Sequence, residues 1–429
     1  MSAKVVERRY LLPFVLITSL FALWGFANDI TNPMVAAFQT VMEISTSRAS
    51  MVQFAFYGGY ATMAIPAALF VQKYSYKKGI LLGLALYAIG ALLFIPAAKH
   101  EVFTYFLFSL YILTFGLAFL ETTANPFILS LGDPETSTRR LNLAQAFNPM
   151  GSLLGMFVAS RVVLASLESD KRDAAGELIF PTLDEATKAA IRTSDLEIIR
   201  NPYMILGFVV IVMFIIIAVV KMPSSGHSTH IHPMQSIRTL FKNKVYREGV
   251  FAQIFYVAAQ IMCWTFIIQY ADNLGIDKAT AQMYNILAMG IFLGSRFIAT
   301  ALMKYVNSRK LLMIFAIGGM FTITGVIFIE GMMGLYCLIA TSAFMSLMFP
   351  TIYGIALENV SQTDATLGAA FLVMAIVGGA IMPKLQAIII DLGRVWYLPS
   401  VNASFILPFI CFCVIAAFGY RSYKATLAN

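Results

Sequence analysis

Charge is scarce in this chain. Asp, Glu, Lys and Arg make up 12% of its 429 residues, about half the share of an ordinary soluble domain. With 59% of residues hydrophobic, a soluble core could not hide the apolar surface, so a soluble globular fold is excluded and a polytopic membrane protein is expected. Cysteines are few as well: Cys263, Cys337, Cys411 and Cys413 all fall in apolar stretches and read as small buried hydrophobes. Cys411 and Cys413 are two apart, point in different directions on a helix and indicate neither a disulfide nor a metal pair. His227, His230 and His232 lie in a polar stretch where no Cys or acid completes a ligand set, so they read as solvated linker and no metal is expected. The sequence contains no G-x-S-x-G, no H-E-x-x-H and no Walker A pattern. That argues against an enzyme and against ATP-driven pumping, with no cofactor implied. No cleavable signal is expected, because the first apolar segment is too long and lacks a small-residue cleavage site.

Apolar runs are what the chain has in abundance. Twelve can be read, over 10–38, 49–72, 79–97, 102–131, 141–165, 202–222, 248–271, 281–304, 311–329, 332–357, 366–391 and 400–420, each near the ~20 residues that cross a bilayer. The formal charge of +8 would suggest nucleic acid in a soluble protein. Here the positive-inside rule accounts for it and no nucleic acid partner is expected. Placing the N-terminus inside puts eighteen Lys and Arg on that side against ten opposite, five of them in one long loop. Both termini are therefore expected in the cytoplasm. The expected fold class is an all-α membrane protein of twelve transmembrane helices in two pseudo-symmetric six-helix bundles. Residues 1–222 form the first bundle, 223–247 a basic cytoplasmic linker and 248–429 the second. The halves echo each other: Pro126 and Pro350, and Phe147 and Phe371, stand at equal separation in segments 4 and 10, 5 and 11. Such repeats suit transporters that bind substrate at the repeat interface.

Ionisable residues inside the spans carry the functional reading. Glu121 sits in the uncharged run Tyr105–Leu131, and Asp29 lies in the first segment. An acid at that depth costs ~3 kcal/mol on insertion scales and marks function by default. Around them fall amides and aromatics at helical spacing: Asn28 and Asn32 at i, i+4, Glu121 and Asn125 at i, i+4, Gln145 and Asn148 at i, i+3. Segment 7 carries Gln253, Tyr256, Gln260 and Trp264 as one stripe. Any single amide can be helix–helix glue; the whole set points to a polar cavity. Amides both donate and accept, as a neutral polyol requires, and the rings of Tyr256 and Trp264 can stack on a sugar face. No clamp for an anion is present. Arg296 reads as a gate or structural latch in segment 8, whereas Lys384 suggests no role. With no ATP motif, energy must come from an ion gradient. A desolvated carboxyl can hold a proton and release it when its cavity opens to the other side, which is the part expected of Glu121.

The stretches FALWGFANDI, FLETTANPFILSLG, RRLNLAQAFNPMGS, AQIFYVAAQIMCWTFIIQYA and AFMSLMFPTIYG resemble the fucose permease group of the major facilitator superfamily. The likeness runs from about Tyr10 to segment 12, and the pairing of LETTANPF with RLNLAQAFN is its most specific part. It implies an alternating-access cavity and L-fucose uptake coupled to protons. Glu121 matches the family's segment 4 glutamate, and Gln145 and Asn148 match its cavity amides. The family's segment 1 aspartate falls at Asn32 here, with Asp29 one turn earlier. Asp29 either supplies that function or marks a difference in recognition or coupling. Other readings are sodium- or proton-coupled uptake of glucose, galactose or another hexose, and a non-transporting sugar receptor. A bacterial inner-membrane protein acting as a monomer on a small neutral sugar is the expectation.

Overall fold

The computed structural model describes residues 5–44, 48, 51–171, 173, 178–223, 233–276, 278–392, 394, 395 and 397–427. Twelve of its helices are long and apolar enough to cross a membrane. They are α1 (Leu11–Val41), α2 (Met51–Lys73), α3 (Tyr76–His100), α4 (Phe103–Ser130), α5 (Pro134–Ser166) and α6 (Glu185–Val219). The second set is α7 (Lys244–Asn273), α8 (Lys278–Leu302), α9 (Ser308–Phe328), α10 (Met332–Leu357), α11 (Asp364–Ile390) and α12 (Ser400–Leu427). A short linker helix, Pro233–Lys242, precedes α7. The three linker histidines lie outside the described residues.

Contacts divide the chain into two compact units. One comprises Met1–Thr18, Asn125–Pro149 and Ser228–Asn429, the other Ser19–Ala124 and Met150–His227. In this division Met1–Thr18 and Asn125–Pro149, the latter running from within α4 into α5, group with the second half of the chain.

In the second of these units, small residues let helices meet backbone to backbone. A Cβ at Gly116 would come within 2.4 Å of the Tyr87 nitrogen, and one at Gly90 within 2.2 Å of the Leu113 nitrogen. The α3–α4 pair therefore depends on these glycines, as close membrane helix pairs commonly do. Buried tyrosines supply the polar ties: Tyr87 donates to the Leu23 carbonyl at 2.9 Å, and Tyr203 pairs with Thr31 at 2.9 Å while stacking on Phe94. Helix α6 starts at Glu185, well before the apolar run at 202. Its N-cap Asp184 accepts the Thr187 amide and hydroxyl, and these bonds, the hydroxyl's foremost, hold the Asp184 carboxyl below the usual carboxylate range. Further along α6, buried Asp195 accepts the amides of Glu168 and Ser169 at 3.0 and 2.8 Å, pinning the preceding loop. Lys77 closes the far end, donating to the Ala218 and Val220 carbonyls at 2.8 Å each. A cation there satisfies carbonyls that no helical amide reaches.

In the first unit α7 is the hub, packing on α8, α10, α11 and α12. Asn402 of α12 donates to Tyr270 of α7 at 3.0 Å and to the Val326 carbonyl of α9 at 2.8 Å. Arg140, fully buried, ends α4 by donating to the Ile128 and Leu129 carbonyls at 2.8 and 2.6 Å.

Candidate functional site

Within the second unit, Glu121 is partly accessible on α4 and hydrogen-bonded to the hydroxyl of buried Tyr60 on α2. Asn28 and Asp29 are partly accessible on α1, with Asp29 within electrostatic range of Tyr57. The side chain of Asn32 lies outside the described residues, as does that of Lys384. Sequence reasoning missed Tyr60, although the aromatic-glycine run FYGGY (Phe56–Tyr60) could have drawn attention to it.

Within the first unit, the amides of segments 4 and 5 meet. Gln145 donates from Nε2 to Asn125 Oδ1 at 2.8 Å; both residues are buried, while Asn148 one turn on is partly accessible. Helix α5 is interrupted here, its parts running Ser137–Gln145 and Phe147–Phe157. The cause is Pro149. Having no N–H, it cannot bond the Gln145 carbonyl four residues back. That carbonyl is taken instead by Arg296 Nη1 of α8 at 2.9 Å. Pro350 does the same to Ser346 in α10, and Arg296 Nε donates to the Ser346 carbonyl. One guanidinium, only 3% exposed and packed over the Phe292 ring, thus satisfies two carbonyls that prolines release. Beside it, Asn142 donates to Thr351 Oγ1 at 3.2 Å, and Gly354 packs on Thr138. Neither Asn142 nor Thr351 stood out in the sequence, where an amide before a proline break was the available signal.

The α7 stripe divides by accessibility. Tyr256 is fully buried and its hydroxyl donates to the Met345 carbonyl at 3.2 Å. Gln260 and Trp264 are partly accessible; the indole donates to Ser342 Oγ at 3.2 Å and meets Phe292 edge-on. Gln253 is buried, and its amide makes no hydrogen bond among the described residues. Among those residues no group of acids, His and Cys could hold a metal ion.

Residues 15–383 match the pattern of the family described as Major Facilitator Superfamily. The chain is 67% identical, over 99% of its length and 99% of the relative's, to an L-fucose-proton symporter of Haemophilus influenzae. It is 34% identical to an L-fucose-proton symporter of Escherichia coli, over 98% of this chain and 95% of that one. A crystal structure of the transporter FucP in the outward conformation superposes with a TM-score of 0.88 at 32% identity, covering 97% of this chain and 99% of that one.

Proposed function

This chain belongs to the major facilitator superfamily, and on that premise we propose that it takes up L-fucose together with a proton by alternating access. It is a multi-pass membrane protein, and its relatives are transporters rather than enzymes. The end-to-end identity with a fucose-proton symporter carries the reading; at 67% it does not favour the glucose or galactose alternative. Glu121 is the proton carrier, set against Tyr60, with Asp29 as a second coupling acid. Asn28, Asn32, Asn125, Gln145, Asn148, Gln260 and Trp264 serve sugar binding, whereas Tyr256, fully buried with its hydroxyl on the Met345 carbonyl, serves packing. Arg296 is the gate. The protein works as a monomer in the bacterial inner membrane, both termini cytoplasmic, with the proton rather than sodium as coupling ion and no cofactor.

Counterflow in liposomes tests the substrate and the ion together. Labelled L-fucose should exchange in preference to glucose and galactose, and an inward proton gradient, but not a sodium gradient, should drive accumulation. Equal exchange of all three sugars, or accumulation on sodium alone, overturns the assignment.

The segment 5 amides make a sharper test. Removing a hydrogen-bonding partner from a desolvated polyol costs ~1–3 kcal/mol, roughly ten- to a hundredfold in affinity. Gln145→Ala and Asn148→Ala should each weaken sugar binding by about that much in calorimetry. The Gln145 change also removes the 2.8 Å bond to Asn125 Oδ1, so it should lower thermal stability as well. Unchanged affinity in both variants would return these amides to a packing role.

A further inference from the structure

The corner between α7 and α12 carries a feature the sugar pathway does not use. The linker helix Pro233–Lys242 brings Arg238 and Lys242, and the chain continues through Lys244 and Arg247 with no acid before Glu248. Against its end opens a groove of about 570 Å³. Its wall is apolar, formed by Phe251, Ile254, Val414 and Phe418, and Phe251 is 54% exposed there. Its rim is ionic. Arg247 lines it and donates to the Phe241 carbonyl at 3.3 Å, and Arg421 pairs with Glu248 at 3.1 Å. A guanidinium has five N–H donors, so the contacts made here leave both arginines with capacity for another acceptor. Two arginines and one glutamate line the groove, and Lys242, Lys244 and Lys424 stand within five positions of those arginines in the sequence. The rim is therefore net positive.

An aliphatic trough beside a cationic rim at the end of a membrane span matches one class of molecule. A sugar finds no polar partner along Phe251, Ile254 and Val414, and a free anion would leave that wall uncovered. A phospholipid satisfies both parts, its tail against the apolar wall and its phosphate at the arginines, which recognise phosphate through bidentate N–H pairs. The net charge selects an anionic headgroup over a zwitterionic one. We propose that this groove binds an anionic glycerophospholipid of the surrounding bilayer, the phosphate at Arg247 and Arg421 and an acyl chain along Phe251 and Ile254.

Native mass spectrometry of the full-length protein, released from detergent with equal amounts of phosphatidylglycerol and phosphatidylcholine, provides the test. The unaltered protein should retain phosphatidylglycerol at least fivefold over phosphatidylcholine. Arg247→Gln with Arg421→Gln should bring the ratio to about one, while Arg247→Lys with Arg421→Lys should preserve a preference. Glu248→Gln removes the one opposing charge and should raise the ratio severalfold. Thermal unfolding in phosphatidylcholine alone identifies a variant that has failed to fold, in which case the Glu248→Gln result decides. No preference in the unaltered protein, a preference that survives the double Gln change, or a ratio unmoved by Glu248→Gln would each overturn the proposal.

Discussion

Replacing Glu121 with glutamine should leave sugar exchange running and abolish uphill uptake. Glutamine has the shape of the protonated carboxyl and can still accept from Tyr60, the partner Glu121 has in this structure, so the pocket keeps its hydrogen bond. What disappears is the ability to carry a proton in one state and release it in another. A one-proton symporter working on a gradient of one pH unit can sustain about tenfold accumulation, the equivalent of 1.4 kcal/mol. For Glu121→Gln the ratio should fall to about one, while counterflow at equal sugar concentrations stays within a few-fold of the unaltered protein. Accumulation that persists in this variant would move the coupling site elsewhere. Asp29→Asn in the same assay separates the two acids. If Asp29 has taken over the role of the aspartate the family places at Asn32, uphill uptake should fall, and adding Asn32→Asp should recover part of it. Uptake untouched by Asp29→Asn would limit coupling to Glu121.

Much of this was legible in the sequence, because the bilayer imposes simple rules. A twelve-span chain follows from apolar runs of the right length, and a mid-span acid such as Glu121 stands out against an uncharged background. The start of α6 was not legible, since its first turns are polar and depend on Asp184 as a cap rather than on hydropathy. Nor was the split role of the α7 stripe. Helical spacing put Gln253, Tyr256, Gln260 and Trp264 on one face, but which of them packs and which stays accessible depends on what faces them from α10, such as the Met345 carbonyl. Arg140 shows the same limit: a loop charge by position, it is buried because α4 ends in carbonyls that need a donor. Tertiary partners of this kind are separated by too much chain for periodicity to reveal them.

Arg296 is where the second large effect is expected. Pro149 and Pro350 each remove an amide from a helix, freeing the carbonyls of Gln145 and Ser346, and one buried guanidinium donates to both. Hydrogen bonds from a charged group contribute ~1.5–3 kcal/mol each, and an orphaned buried carbonyl costs a comparable amount. Arg296→Ala should therefore cost several kcal/mol in this arrangement, read as a clear drop in unfolding temperature, and should slow fucose transport at least tenfold. Arg296→Lys keeps the charge but offers a point donor in place of a fork, so it should recover only part of the loss. A gate makes a demand that a purely structural residue does not. If Arg296 holds α5 to α10 in the present conformation and must let go for the other, its loss should loosen the neighbouring contact between Thr138 and Gly354. A cysteine at position 138, in a background without the four native cysteines, should then be alkylated several times faster when Arg296 is alanine. Slower transport with unchanged alkylation would make Arg296 a packing residue. Transport within twofold of normal in Arg296→Ala would remove it from the mechanism altogether.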